Sequence, residues 1–260
     1  MGRKFAFFID IDGTLTAERG KIPRENVLAI MQARRQGHFV FINTGRSRGN
    51  IDSELFEALQ VADGIICGNG CHLIINRRDV FKESIPAELA FDVADYVALH
   101  PDLWCLMEGE HYVTVVESSP NKQVNEGRSL VTRPGQFREE HGNEPVEVIA
   151  VGPYLPDDFT QRFGFGLEMF PMSGYTDCVR KGCGKAKALG KVASMFEISH
   201  ENTVAVGDSG NDLPMLESAG IAVVMGNADD SLKQIADIVT DTNLNAGVGK
   251  AILKIISDQN

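Results

Sequence analysis

Phe5-Ala6-Phe7-Phe8-Ile9-Asp10-Ile11-Asp12-Gly13-Thr14-Leu15 is the stretch on which the fold turns. Five apolar residues in a row, without the polar alternation of a half-exposed strand, describe a strand covered on both faces, as in a parallel sheet. Two carboxylates stand directly beyond its carboxyl end, two residues apart, with Gly13 as a turn residue. If the extended direction persists, both project toward the same side. Charge leaving a buried strand is costly unless a metal or another cation is near, which makes the pair a candidate site.

Outward from that strand, Pro23 opens a helical pattern that carries Val27, Ile30, Met31 and Arg34 at helical spacing and closes at Gly37. A second apolar strand spans His38 to Asn43, and a third, Ile65 to Cys67, runs through Gly68-Asn69-Gly70 into Leu73 to Ile75, which predicts a hairpin. The C-terminal part alternates again: strand Val204 to Val206, helix Leu213 to Ala219, strand Ile221 to Met225, helix Ser231 to Ala236, strand Ile238 to Thr240, and an amphipathic helix from Ala246 to Ser257. Such alternation predicts the α/β class, a doubly wound parallel sheet with helices on both faces.

The middle of the chain reads differently. A helical stretch, Leu89 to Leu99, is followed by Leu103 to Glu108 and Tyr112 to Glu117 joined at Gly109-Glu110, then a polar segment, then strand-like runs at Val146 to Val151 and Leu167 to Phe170. This hairpin-built α+β pattern predicts an inserted domain at 82–177 within a discontinuous core formed by 1–81 and 178–260.

Composition limits the function classes. The 260 residues include 25 Lys and Arg against 36 Asp and Glu, a net charge of −11, with 43% hydrophobic and 23% charged residues. That is the make-up of a folded, acidic chain, and it excludes disorder and collagen-like repeats. No run approaches the ~20 apolar residues of a membrane-spanning helix. Asp10 and Asp12 cut the N-terminal apolar run short of a signal-peptide core, and Ala6 after Gly2 does not support myristoylation, so a cytoplasmic location is expected. Five scattered cysteines without a C-x-x-C pair predict free thiols, and six histidines without zinc-site spacing predict no zinc. The acidic balance, with no basic cluster, speaks against nucleic acid as a partner.

Three further features fall at strand ends or helix starts, where open α/β sheets bind ligands. Asn43-Thr44-Gly45-Arg46 offers a hydroxyl and free amides at an expected helix start, and Arg46 reads as an exposed helix-start arginine in preference to one near the substrate. Lys181-Gly182-Cys183-Gly184-Lys185 leads into a helical run from Ala186 to Phe196, where a lysine can hold a phosphate as a point charge. Gly207-Asp208-Ser209-Gly210-Asn211-Asp212 follows a strand with two acids and an amide placed as ligands for a hard cation.

In this order, D-x-D-G-T-L, the hydroxyl before Gly-Arg, the helix-start lysine and G-D-x-x-N-D resemble the signature of the haloacid dehalogenase superfamily of phosphotransferases. The insert is similar to the type II α/β cap of its sugar-phosphatase-like (Cof-type) group, and Met225-Gly226-Asn227-Ala228 and Thr242 through Val248 resemble that group's tail. Pro214 departs from many relatives, at an early helical turn that tolerates proline. The resemblance implies Asp10 as nucleophile forming an aspartyl-phosphate, and Asp12 as general acid and base. One carboxylate must be ionised to attack while its neighbour protonates the leaving oxygen and later activates water. It further implies Mg2+ held by Asp10, Asp208 and the main-chain carbonyl of Asp12, with Asp212 in support. Thr44, the Gly45 amide, Lys185 and Asn211 would hold the phosphoryl oxygens, with Lys181 and Lys187 as competitors for the lysine role.

The insert is expected to close as a lid over a small phosphorylated metabolite, plausibly a sugar phosphate. Trp104, Glu108, His111 and Tyr112 lie on or beside its hairpin, and most of them are expected to be packing or solvated turn residues. Competing readings are phosphoryl transfer between positions of a sugar, a phosphorylation-controlled receiver module, and a binding protein without turnover. Against the receiver stand the chain's length and the G-D-x-x-N-D segment, and against silent binding the presence of both Asp10 and Asp12.

Overall fold

A computed structural model of the chain describes residues 3–17, 20–118 and 128–258. Met1 and Gly2, and most of the polar segment expected after Glu117, lie outside the described residues. The first half of the core runs β1 (Ala6–Ile9), α1 (Arg24–Arg35), β2 (Phe39–Asn43), α2 (Ser53–Leu59), β3 (Gly64–Cys67), β4 (His72–Ile75) and β5 (Arg78–Lys82). The insert contributes α3 (Ala87–Ala98), β6 (Trp104–Glu108), β7 (Val113–Glu117), β8 (Ser129–Val131), α4 (Gln136–His141), β9 (Val148–Gly152), α5 (Asp157–Phe163), β10 (Leu167–Met172) and β11 (Tyr175–Arg180). The core resumes with α6 (Lys185–Met195), β12 (Thr203–Gly207), α7 (Leu213–Glu217), β13 (Ile221–Val224), α8 (Asp230–Lys233), β14 (Ile238–Val239) and α9 (Gly247–Ser257).

The core sheet has the order β14-β13-β12-β1-β2-β3-β4-β5. Every pairing from β14 to β3 is parallel, and the predicted hairpin adds β4 antiparallel to β3, with β5 antiparallel at the edge. The unbroken apolar run of β1 has a direct cause. Phe7 and Ile9 pack with Ile30 of α1 and Ile252 and Ile255 of α9 on one face, while Ala6 and Phe8 pack with Leu189 and Val192 of α6 and Leu216 of α7 on the other. Successive strand residues point to opposite faces, so a strand covered twice has no polar position. Phe8 and Phe41 stack across β1 and β2 at 5.4 Å, and truncating a buried phenylalanine of this kind costs about 3–5 kcal/mol.

The insert forms its own sheet, β10-β11-β9-β6-β7-β8. Behind it, α3, α4 and α5 bury Phe91, Val97, Phe137, Phe159 and Phe163 against Cys105, Met107, Ile149 and Val151. The boundaries differ slightly from those read in the sequence. Lys82 closes β5 in the core sheet, and β11 continues past Asp177 to Arg180, which pairs with Leu167 in the insert. Strand pairing outlasts the polar residues Asp177 and Arg180, which broke the apolar pattern. All five cysteines are buried free thiols. Among the described residues no helix is long and apolar enough to cross a membrane.

Candidate active site

At the carboxyl end of β1, Asp10 is still extended, with its N–H donating to the Val206 carbonyl of β12 at 3.0 Å. The chain then abandons the strand direction. Ile11 to Leu15 coil into one wide turn closed by the Leu15 N–H on the Asp10 carbonyl, so the two carboxylates part although both line one cavity. Gly13 makes the turn possible: its φ is +77°, and a Cβ there would fall 2.2 Å from Asp208 Oδ2. The neighbouring Thr14 hydroxyl donates to Asp208 Oδ1 at 2.8 Å.

Asp208 stands beyond β12 and Asp212 ends the turn that starts α7. One oxygen of Asp212 accepts from the main-chain N–H groups of Asp208 (3.1 Å) and Ser209 (3.3 Å), which fixes the segment. Its other oxygen accepts from Lys185 Nζ at 2.7 Å, and the same ammonium donates to Asp10 Oδ1 at 2.7 Å. Lys185 is the first residue of α6 and only 2% exposed, while Asp10 is 4% exposed. Of the competing lysines, Lys181 and Lys187 are exposed and turn to Glu168.

Three carboxylates around one ammonium leave an excess of negative charge. Burial, joined by Asp212 and Asp208, pushes Asp10 up to about 8 despite the Lys185 ammonium. Asp208 is raised to about 6, again chiefly by burial. Burial alone would lower Lys185, but Asp10 and Asp212 outweigh it and raise it. Oxygens of Asp10, Asp208 and Asp212 lie within 4.8 Å of one another, a donor set that could hold a metal ion and whose hard oxygens suit a hard cation. The carboxylate that completes this set is Asp212, expected only in support. The Asp12 side chain is elsewhere, and its expected part in metal binding was its main-chain carbonyl.

Asp12 faces Arg46. Two guanidinium nitrogens reach its two oxygens at 2.8 and 2.6 Å, a bidentate pair between the ends of neighbouring strands β1 and β2. Arg46 is therefore no free helix-start arginine. Its side chain is 30% exposed against 57% for Asp12, and the segment after it is a short turn, Arg48–Asn50, with α2 starting only at Ser53. Thr44 is buried, its hydroxyl accepting from the Arg46 N–H at 3.2 Å. Thr44 and Gly45 line the cavity with Asp10, and so does Asn211, whose carboxamide oxygen accepts from the Ser209 hydroxyl at 2.6 Å.

The cavity measures about 360 Å³ and is roofed by the insert. Alternate residues of β6, namely Trp104, Leu106 and Glu108, face it together with Val148 and Ala150 of β9. Met172, Tyr175 and Asp177, on β10 and β11, complete the roof. Leu106, Ala150 and Asp177 stand in register across three strands. Gly152 leaves the room that the Trp104 indole fills, since a Cβ there would lie 2.2 Å from the ring. Of the hairpin residues expected mostly to pack or be solvated, His111 is 84% exposed and Tyr112 stacks on His141, whereas Trp104 and Glu108 line the cavity.

The insert is bonded to the core beside Arg46. Glu108 accepts from the Ser47 N–H at 3.4 Å and from Asn50 Nδ2 at 3.1 Å, and the Gly49 N–H donates to the Gly109 carbonyl. Glu147, just before β9, accepts from the Arg48 N–H and meets His72 Nδ1 at 3.0 Å, while His72 Nε2 meets Asp79 at 2.8 Å. Carboxylates on both ring nitrogens suit the doubly protonated imidazolium, and they raise His72 against the lowering effect of burial.

Tyr175 and Asp177 were not singled out in the sequence, and neither were Met172, Leu106, Val148 and Ala150. The available signal was a buried-strand context around one acid, Tyr175 to Val179, flanked by a turn.

Comparison with known proteins bears on the family and the fold. A family profile described as haloacid dehalogenase-like hydrolase matches residues 7–252. The chain is 33% identical over 256 residues to the 5-amino-6-(5-phospho-D-ribitylamino)uracil phosphatase YcsE of Bacillus subtilis (strain 168), covering 94% of this chain and 92% of that protein. It is 29% identical over 266 residues to the pyridoxal phosphate phosphatase YbhA of Escherichia coli (strain K12), covering 94% and 96%. Its fold superimposes on that of the HAD subclass IIB sugar phosphatase BT4131 with a TM-score of 0.78 at 28% identity, over 97% of this chain and 99% of the other. The profile match across most of the chain and the 33% identical relative show the family: the chain belongs to the haloacid dehalogenase-like hydrolases.

Proposed function

We propose that the protein is a magnesium-dependent phosphatase that hydrolyses a small phosphate monoester, a sugar phosphate or a metabolite of similar size, through an aspartyl-phosphate on Asp10. The observation that carries this reading is Asp10 itself: a buried carboxylate bonded to Lys185, beside Asp208 and Asp212, opening into a roofed cavity that also receives Asp12. The relatives named for phosphorylated metabolites support the substrate's size class.

In the first half-reaction an Asp10 oxygen bonds to phosphorus as the ester P–O bond breaks, and Asp12 passes its proton to the departing oxygen. In the second, Asp12 takes a proton from water as the water oxygen bonds to phosphorus, which frees the Asp10 carboxylate and inorganic phosphate. The Thr44 hydroxyl, the Gly45 amide and the Asn211 carboxamide hold the non-bridging oxygens, and Lys185 offsets the charge that Asp10 brings toward the phosphate. Both Asp12 oxygens are engaged by the Arg46 guanidinium, so this pair opens when the ester enters and Asp12 acts as an acid. Mg2+ at Asp10 and Asp208, next to Asp212, would screen the carboxylates from the phosphate dianion and polarise its oxygens. The roof excludes water until the leaving group departs.

The test is phosphate release from a panel of monoesters with Mg2+ or EDTA, by the native protein and by Asp10→Asn. Release that needs Mg2+ and disappears in the variant supports the reading. Metal-independent release, or release by Asp10→Asn at the native rate, overturns it.

A further inference from the structure

The roof of the cavity has a composition that its catalytic end does not share. Trp104, Leu106, Val148, Ala150, Met172 and Tyr175 give it an apolar surface, with the Trp104 and Tyr175 rings 6.5 Å apart. Two acids interrupt that surface, and among the described residues neither is in an ion pair. Glu108 is held by the Ser47 hydroxyl and N–H and the Asn50 carboxamide, and Asp177 accepts from Asn69 Nδ2 at 3.2 Å through Oδ2. Among the described residues the Asn69 bond is the one hydrogen bond of the Asp177 carboxylate, so Oδ1 keeps its acceptor capacity. Both acids are buried.

A polyol in such a place would press several hydroxyl groups against aliphatic side chains, losing their water without replacement. A flat ring loses nothing on the indole face and gains from the apolar area. The acids set a further condition. A leaving group with a carboxylate or second phosphate would meet like charge in a desolvated space, whereas one with N–H, O–H or ammonium donors would supply what Glu108 and Asp177 lack.

We propose that this cavity selects phosphate monoesters whose leaving group combines a flat ring, laid against Trp104, with hydrogen-bond donors offered to Asp177 and Glu108, and that it rejects acidic leaving groups. The proposal rests on the phosphatase reading for its kinetic arm and narrows the substrate class within it.

Four probes separate the elements: pyridoxamine 5′-phosphate (flat, donor-bearing), benzyl phosphate (flat, no donors), glucose 6-phosphate (donors, not flat) and 3-phosphoglycerate (acidic). The expected kcat/KM for pyridoxamine 5′-phosphate exceeds that for glucose 6-phosphate and benzyl phosphate by about tenfold or more, with 3-phosphoglycerate lowest. Asp177→Asn should cut the pyridoxamine ester by about tenfold while leaving benzyl phosphate within about twofold. Trp104→Ala should lower both ring esters and spare glucose 6-phosphate. A glucose 6-phosphate or 3-phosphoglycerate value matching that of pyridoxamine 5′-phosphate overturns the proposal, and so does an equal loss on every probe in Asp177→Asn, which would mark a structural role. Binding gives an independent arm, because Trp104 is the single tryptophan of the chain. Its fluorescence in Asp10→Asn reports affinity without turnover, and the same order of probes is expected. If the native protein releases phosphate from no probe while that binding order holds, the phosphatase reading fails and the selectivity stands. Release from all four probes without preference overturns the selectivity and leaves the phosphatase reading intact.

Discussion

The catalytic floor and the cap roof both bury acids, and they treat them differently. On the floor, Asp10 and Asp212 share the Lys185 ammonium and Asp208 sits beside them, so charge answers charge and the residual excess is of the kind a cation neutralises. In the roof, Glu108 is held by the Ser47 hydroxyl and N–H and the Asn50 carboxamide, and Asp177 by the Asn69 carboxamide, with no ion pair to either among the described residues. Burial pushes Glu108 up to about 7 and Asp177 up to about 6. On the proposed function, the difference is a division of labour: a floor that stabilises a phosphoryl group whatever it is attached to, and a roof that reads the attachment. Floor substitutions should therefore reduce turnover on every ester alike, and roof substitutions should reorder esters.

The largest expected break is at Asp12. Asp12→Asn should lower kcat on all alkyl esters by on the order of 10³-fold, with little loss of stability because the side chain is more than half exposed. An effect confined to one substrate would move Asp12 from the floor's chemistry to the roof's. Next comes Lys185→Met, which strands Asp10 and Asp212 without their ammonium. Removing one partner of a buried ion pair costs about 3–5 kcal/mol, measurable by urea unfolding. An unchanged midpoint would show that the floor is not held together by charge.

The joint between floor and roof supplies a pH-dependent case. Glu147→Gln, at the buried contact with His72, should cost about 3 kcal/mol near pH 5.5. Burial opposes ionisation of both groups, but Glu147 and Asp79 outweigh it at His72, and His72, the Arg48 N–H and Lys82 outweigh it at Glu147, so His72 is raised from 6.5 and Glu147 lowered from 4.5. The contribution of raised His72 is complete below pH 6.5 and fades as pH rises through its folded value. That of Glu147 is complete above pH 4.5 and fades as pH falls through its folded value. The gap between native and variant unfolding midpoints is thus expected to be widest between those two values and to narrow toward pH 9; a gap that widens with pH contradicts the assignment.

Mg2+ at a hundredfold excess over its dissociation constant should add about 2.7 kcal/mol to the native protein's stability, and Asp208→Asn should lose most of that gain. Lys187→Ala, by contrast, should change activity and stability little, within about 0.5 kcal/mol, because the side chain is exposed and its ion pair to Glu168 is long.

The floor was legible in the sequence for a physical reason. A strand buried on both faces writes an unbroken apolar run, so acids just beyond such a run, at Asp10 and Asp208, stand out, and Lys185 stands out at the start of a helical run. The roof was not legible, because its sheet is also covered twice. Cys105 and Met107 face the helices behind while Leu106 faces the cavity, so residues of both orientations are apolar and period-two alternation vanishes. Asp177 was missed because β11, with its internal acid and terminal arginine, does not read as a strand until β9 and β10 pair with it. Arg46 was misjudged because its partner Asp12 lies on the neighbouring strand's end, a proximity that only the sheet order creates.

The central claim, that phosphate passes through Asp10, has a direct chemical test. A turnover mixture quenched in acid and reduced with borohydride converts an aspartyl-phosphate into homoserine, which peptide mass mapping locates. The expected result is homoserine at position 10, dependent on Mg2+ and substrate; homoserine at position 12, or none at either position during active turnover, would contradict it.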